Sequence, residues 1–367
     1  MIILFRRFIY CFVVCCFFVN YAFTQEILER GRFSGYMFGD YYYNILRDKN
    51  VASLPFAIFK DPQDQNGFEF RRIYFTYDYQ ISEQFNSRLR FEIEQSTLAT
   101  NSKIAPFLKD AYIQWKDIFK GSNLTFGLQP TPSFDISEYV WENRHIEMTI
   151  IDLYGFIGSR DFGVSLKGKI DNKGIVNYWF LFGNGSGVRP ELDKYKTLYG
   201  NILLKLNDKI WTYLNYHHKF SKPKDNVFSN GNLLSTDEDL FSFFLSYYQK
   251  DIFKFGVEAF VNYLRNNIKD STNQTYLNRS IFGITVFGIY YFSPKYNLVL
   301  RYDFFDPNIE KNFSKDRRNI FYLGLNYKPV KKVSITPAVL VETFESQNNS
   351  SYKPSVTARL IFFYIFD

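Results

Sequence analysis

Arg71-Arg72-Ile73-Tyr74-Phe75-Thr76-Tyr77-Asp78-Tyr79, followed after a short polar turn by Arg88-Leu89-Arg90-Phe91-Glu92-Ile93-Glu94, is the stretch on which the fold depends. In the first arm Ile73, Phe75, Tyr77 and Tyr79 fall on one face, and Arg72, Tyr74, Thr76 and Asp78 on the other. In the second, Leu89, Phe91 and Ile93 alternate with Arg88, Arg90, Glu92 and Glu94. Successive side chains of a strand point to opposite faces, so a period of two marks a strand with one apolar and one polar side. Two such arms around the turn at 82–86 make an antiparallel hairpin.

The same period recurs along the chain and predicts sixteen strands, near 32–44, 68–80, 87–95, 107–116, 122–130, 160–170, 174–184, 197–207, 209–218, 239–249, 251–263, 280–292, 296–305, 318–328, 332–343 and 355–366. Each is about the 9–11 residues that a tilted strand needs to cross a bilayer. The connections alternate. Short ones fall near 81–86, 117–121, 171–173, 208, 250, 293–295 and 329–331. Long ones fall near 45–67, 96–106, 131–159, 185–196, 219–238, 264–279, 306–317 and 344–354. The pattern predicts an all-β fold, a transmembrane antiparallel β-barrel of about sixteen strands with short periplasmic turns and long extracellular loops. A soluble sandwich also has short alternating strands, but gives no reason for loop length to alternate.

Charges cannot sit in hydrocarbon, so the apolar faces are expected to meet lipid and the polar faces to line the lumen. The expected lipid-facing set includes Phe162, Val164 and Leu166; Phe241, Phe243 and Leu245; Leu298 and Leu300; and Phe321, Leu323 and Leu325. Aromatic residues make up 20% of the chain, and girdles of Tyr and Phe at the two membrane interfaces account for such an excess.

Residues 1–24 read as a signal peptide. Arg6 and Arg7 precede the apolar run 8–19, and the small residues Ala22 and Thr24 place the cut before Gln25 or just after Ala22. The barrel then occupies 25–367, in the outer membrane. The chain's three cysteines, Cys11, Cys15 and Cys16, all lie in the leader, which excludes disulfides and cysteine metal sites from the barrel. No apolar run is long enough for a membrane-spanning helix.

Other chemistry finds no footing. His217 and His218 are adjacent on a strand and point to opposite faces, so one metal site cannot easily use both. The run Gly183-Asn184-Gly185-Ser186-Gly187 lacks the lysine of a phosphate-binding loop. The lysines are scattered rather than gathered into a nucleic-acid-binding arm. The expectation is no enzyme, no catalytic residue, no metal, no cofactor and no nucleic acid.

Several segments resemble the phosphate-selective porin O and P family of Gram-negative outer-membrane channels. They are Phe70-Arg71-Arg72-Ile73, Leu108-Lys109-Asp110-Ala111-Tyr112-Ile113, Phe126-Gly127-Leu128-Gln129-Pro130 leading to Trp141-Glu142-Asn143-Arg144, Arg160-Asp161-Phe162-Gly163-Val164, and Arg301-Tyr302-Asp303-Phe304-Phe305-Asp306-Pro307. The resemblance implies a sixteen-stranded barrel, commonly a homotrimer. It also implies that the third loop, 131–159, folds inward to narrow the pore, carrying Trp141, Arg144 and His145. The family's arginine ladder and lysine cluster have no position-by-position match, so phosphate selectivity is not carried over.

The residues expected to line the pore are Arg72, Arg88, Arg90, Glu92, Glu94, Asp110, Lys167, Arg301, Asp303 and Arg359. The function they suggest is passive diffusion of small hydrophilic solutes or ions through an aqueous lumen, with a mild anion bias from Arg72, Arg88, Arg90 and Arg144. Against that bias stands the alternative that these arginines pair with Glu92, Glu94 and Asp78 on neighbouring strands and stiffen the wall. A barrel with an enzymatic, structural or adhesive role and no open pore is the other reading.

Overall fold

The alternation of side chains is realised as sixteen antiparallel strands in the computed structural model, which describes residues 30–229, 231–310, 316–346 and 351–367. The expected signal peptide lies outside the described residues. The strands are β1 (Gly31–Leu46), β2 (Asn66–Gln80), β3 (Phe85–Leu98), β4 (Ile104–Phe119), β5 (Ser122–Pro130), β6 (Arg160–Lys169), β7 (Val176–Gly183) and β8 (Thr197–Lys205). They continue as β9 (Ile210–Lys219), β10 (Glu238–Gln249), β11 (Phe253–Asp270), β12 (Thr275–Ser293), β13 (Tyr296–Asp306), β14 (Arg318–Val330), β15 (Val333–Phe344) and β16 (Ser355–Phe366). Every strand pairs with its neighbours in sequence, and β1 pairs with β16, from Gly35 opposite Phe366 to Leu46 opposite Val356. Closure leaves no sheet edge to aggregate, which lets a barrel domain without cysteines dispense with disulfides.

Pleat parity sets the two surfaces. Phe162, Val164, Phe241, Phe243, Leu300, Phe321 and Leu323 are all exposed on the outside, while Asp161, Ser165, Ser242, Arg301 and Tyr322, one residue away, are buried inside. An outer band of Phe and Leu matches what hydrocarbon demands of a barrel. The inner face departs from expectation. Beside its polar residues it carries Phe244, Phe260, Phe287, Ile289, Ile320 and Leu340, all buried. The reason is the third loop, L3 (131–159). It folds into the lumen and turns the inner wall of the second half of the barrel into a dry apolar core with Trp141, Ile146, Ile150 and Ile151.

Two expected long loops are tight. β3 and β4 run on until only 99–103 connects them, and β11 and β12 continue as a ladder to a turn at 271–274. Polar residues such as Asn266, Lys269 and Asn278 disguise that extension, because beyond the membrane both faces of a strand meet water.

Two β-bulges break parity where it matters. Phe38 faces Arg72 and Gly39 faces Phe70, so Arg71 is an extra residue on β2. Arg90 pairs with Asp110 and Phe91 with Leu108, so Lys109 is extra on β4. A bulge lets two consecutive side chains share a face. Arg71 and Arg72 both enter the lumen, as do Lys109 and Asp110.

Candidate functional site

L3 contains α1 (Asp135–Trp141) and a single turn, α2 (Ile150–Leu153). In α1, Ser137, Val140 and Trp141 are buried against the wall. Asp135, Glu138 and Glu142, three and four residues apart, share the opposite side, which is the amphipathic spacing of a helix. Glu142 ends the helix in the left-handed region at φ 56°. Trp141 is the anchor: its Nε1 donates to the Glu147 carbonyl at 2.8 Å, and its ring meets Phe287 edge-on at 5.0 Å. The wall makes room at two glycines. A Cβ on Gly324 would lie 2.7 Å from Ile146 Cδ1, and one on Gly283 would lie 3.1 Å from Ile150 Cδ1.

Charge fixes the loop's middle. Arg71 donates to the carbonyls of His145 at 2.7 Å and Ile146 at 3.2 Å. It also lies 3.6 Å from the Glu147 carboxylate and 3.4 Å from Asp40. Arg359 approaches the same two carboxylates at 3.7 and 3.8 Å. Burial alone would raise the Glu147 carboxyl, but Arg71, Arg359 and the Met148 N–H together hold it below its ordinary value. Beside it, the His145 imidazole stacks on Phe363 at 5.1 Å and pairs with Asn326 Oδ1 at 3.1 Å. Burial pushes its pKa down to about 4, the Asn326 hydrogen bond opposing only in part. The loop therefore docks with a neutral histidine and an ionised glutamate. Farther along, Arg301 forms a buried pair with Asp303 at 2.6 Å and donates to the Met148 carbonyl at 2.5 Å.

With L3 packed against one side, the open space lies against the other. A cavity of about 590 Å³ remains, with Tyr36, Arg72, Tyr74, Arg90 and Arg160 on the wall and Asp135, Glu138, Glu142, Arg144 and Asp152 on the loop. On the wall four cations share two carboxylates. Glu92 lies between Arg72 at 2.5 Å and Lys109 at 2.6 Å. Asp110 lies between Arg90 at 3.2 Å and Arg160. The Tyr74 ring sits beneath the guanidiniums of Arg72 and Arg90, at 5.4 and 4.9 Å. On the loop the excess is acidic, relieved by Arg144 at 3.0 Å from Asp152 and by Lys254 at 2.5 Å from Glu142. The cavity thus lies between a wall with surplus positive charge and a loop with surplus negative charge.

Toward the short-turn end the lumen changes character. A recess of about 330 Å³ is lined by Lys167, Lys169 and Lys205 with Asn123, Trp179 and Asn201. Lys167 Nζ lies 3.7 Å over the Trp179 ring, and Lys205 Nζ 4.4 Å over Trp211. Lys167 reaches Asp135 at 3.5 Å. Among the described residues no carboxylate pairs with Lys169, Lys205 or Lys328.

The residues singled out from sequence therefore separate into groups. Arg72, Arg90 and Arg144 border the cavity, with an edge of His145. Glu92 and Asp110 lie behind the arginines, fully buried. Arg88 pairs with Asp78 at 2.6 Å, and Glu94 accepts from Thr97 at 3.1 Å. Lys167 stands in the basic recess. Arg301 and Asp303 face inward but are covered by the loop, Trp141 is buried between loop and wall, and Arg359 grips Glu147. Arg72 pairs with Glu92 and Arg88 with Asp78, as the pairing alternative expected, whereas Arg90 pairs with Asp110 and Arg144 with Asp152 of the loop, and neither takes the expected Glu94. Arg71, Lys109 and Arg160 were missed. The signal for the first two was present, since two adjacent charges in a strand that must hide charge from lipid imply a bulge. His217 is buried inside, whereas His218 faces outward and pairs with Asp239 at 2.7 Å. Among the described residues no cluster of His, Cys, Asp or Glu is arranged to hold a metal ion.

No family model matches the chain, and no curated protein sequence matches it. Solved structures share its architecture. The outer membrane channel DcaP of Acinetobacter baumannii superposes with a TM-score of 0.64 at 13% identity, covering 92% of this chain and 97% of that one. The fold is the porin fold. The anion-selective porin from Comamonas acidovorans gives 0.62 at 11% identity, over 92% and 99% of the two chains. OmpT, an outer membrane protein of Vibrio cholerae, gives 0.61 at 13%, over 92% and 97%. The sixteen-stranded barrel with an inward third loop, expected from the resemblance, is present.

Proposed function

We propose that the chain is an outer-membrane porin, a channel and not an enzyme, through which small hydrophilic solutes diffuse passively, with a mild preference for anions. One observation carries the reading: sixteen strands enclose a lumen that L3 enters without filling, leaving a charged cavity of about 590 Å³ beside it. A barrel of this strand number has more interior than its own side chains can occupy. The opposed surpluses of wall and loop favour dipolar solutes that orient as they pass. The anion preference is assigned to the uncompensated lysines of the periplasmic vestibule rather than to the paired arginines. Export by a cleaved leader, and kinship with the phosphate-selective O and P type, rest on the sequence motifs. A trimer form is described for OmpT of Vibrio cholerae, and a homotrimer in the outer membrane is the assembly proposed here.

Swelling of liposomes that contain the refolded protein, in iso-osmotic solutions of uncharged sugars of increasing size, tests the reading. Swelling should be fast for the smallest sugars and fall with size. No swelling from protein that is folded and heat-modifiable on a gel would refute an open lumen.

A further inference from the structure

L3 is not alone inside the barrel. The first loop, between β1 and β2, also turns inward and buries Val51, Leu54, Ala57 and Phe59. Its stem is tied to the wall: Arg47 donates to the Asp61 carbonyl at 2.9 Å and to Thr357 Oγ1, on β16, at 2.9 Å. Its tip is held by a carboxylate. The backbone N–H groups of Ile58 and Phe59 donate to Glu342 of β15 at 3.2 and 3.3 Å. Buried backbone donors outside a sheet need such a partner, and a charged acceptor is a strong one.

The tip also bears on L3. The Phe56 ring lies 5.5 Å from Phe305 on the wall and 6.5 and 6.3 Å from Tyr154 and Phe156 of L3. Phe59 joins the apolar cluster that contains Trp141 and Ile146. The guanidinium of Arg359, which grips the L3 carboxylate Glu147, stands 5.9 Å from the Phe59 ring centroid. Val51, Leu54 and Ala57 close the space toward Phe344 and Tyr352. The first loop thus occupies the lumen beside β13–β16 and braces L3 from the long-loop side.

From this geometry we propose that residues 51–59 form a second constriction segment, which sets the solute size limit of the pore jointly with L3. The proposal rests on the channel reading above. The first loop fills the space between the long-loop side of L3 and β13–β16, and the remaining cavity lies beneath Tyr36, Tyr74 and Arg90. On this proposal, removal of the first loop opens a second route beside L3.

The test replaces residues 51–59 with a short Gly-Ser link and compares unit conductance and sugar-size exclusion with the unaltered chain. The expected result is a higher conductance and loss of discrimination against sugars that the unaltered protein excludes. Unchanged conductance and size limit would overturn the proposal. If the replacement fails to fold, the pair Phe56→Ala with Glu342→Gln keeps the loop's length while removing both its brace and its carboxylate. That variant should show added high-conductance openings, and a record identical to the unaltered protein would count against the proposal. Silence from the unaltered chain itself would overturn the channel reading instead.

Discussion

Arg71→Met removes a guanidinium and keeps its aliphatic stem. The change takes from L3 the donors to the His145 and Ile146 carbonyls, at 2.7 and 3.2 Å, and a cation 3.6 Å from Glu147. Hydrogen bonds to charged groups contribute about 1.5–3 kcal/mol each, and breaking a buried pair by deleting one partner costs about 3–5 kcal/mol. These contributions overlap, and Arg359 still lies 3.7 Å from Glu147. The net loss of loop docking is then about 3 kcal/mol. At tenfold per 1.4 kcal/mol, the undocked population rises about a hundredfold. Single-channel recording reads this as open-state noise and transitions to larger conductances, and limited proteolysis reads it as cleavage within 131–159. Arg71→Lys, a point charge without the fork, should fall between the two. The reasoning fails if Arg71→Met gives a heat-modifiable barrel whose noise and protease resistance match those of the unaltered protein.

Other perturbations follow from the same contacts. Trp141→Ala empties the centre of the inner core and should destabilise L3 docking by about 3–5 kcal/mol, measured as faster proteolysis of the loop while the barrel keeps its circular dichroism. His145 titrates near 4 in the docked loop against 6.5 for a solvated imidazole, so the undocked loop binds more protons between those values. The histidine's contribution to docking is therefore full above pH 6.5 and is lost as pH falls toward 4, by about 3 kcal/mol in all. His145→Gln should abolish the rise in channel noise between pH 6.5 and 5, leaving acid sensitivity from Glu147 at lower pH. Leu323→Arg places a charge on the outer band, where such a change costs about 2–4 kcal/mol at mid-membrane, and should slow insertion into vesicles. Leu323 is exposed outside and Tyr322 buried inside, so a lumen-side change of similar size should not have this effect.

The strands were legible because lipid imposes a strict rule on one face of each, and sixteen segments obeying a period of two leave few architectures open. Position along a strand was enough to assign Phe241 to the outside and Tyr74 to the inside. Two things escaped the pattern. One was the pair of bulges: strict parity turns Arg71 and Lys109 toward lipid, and only the cost of a charge there argues that the strand must slip by a residue. The other was the apolar inner wall. Phe244, Phe287 and Ile320 look wrong for an aqueous lumen until L3 and the first loop are seen to cover them. The paired state of Arg72, Arg90 and Arg144 depends on cross-strand register and loop position, and no local pattern in the sequence encodes either.

The central claim is an open, charge-lined passage whose anion preference arises in the vestibule lysines. Planar-bilayer recording of the refolded protein in a salt gradient tests it most directly, with Lys169→Gln/Lys205→Gln as the comparison. The account predicts stable unitary steps and a reversal potential of anion-preferring sign. It also predicts that the potential moves toward zero in the double variant, and that the difference shrinks at high salt, where screening shortens to about 3 Å at 1 M. Absence of steps, or a cation-preferring potential that the lysine substitutions leave unchanged, would contradict it.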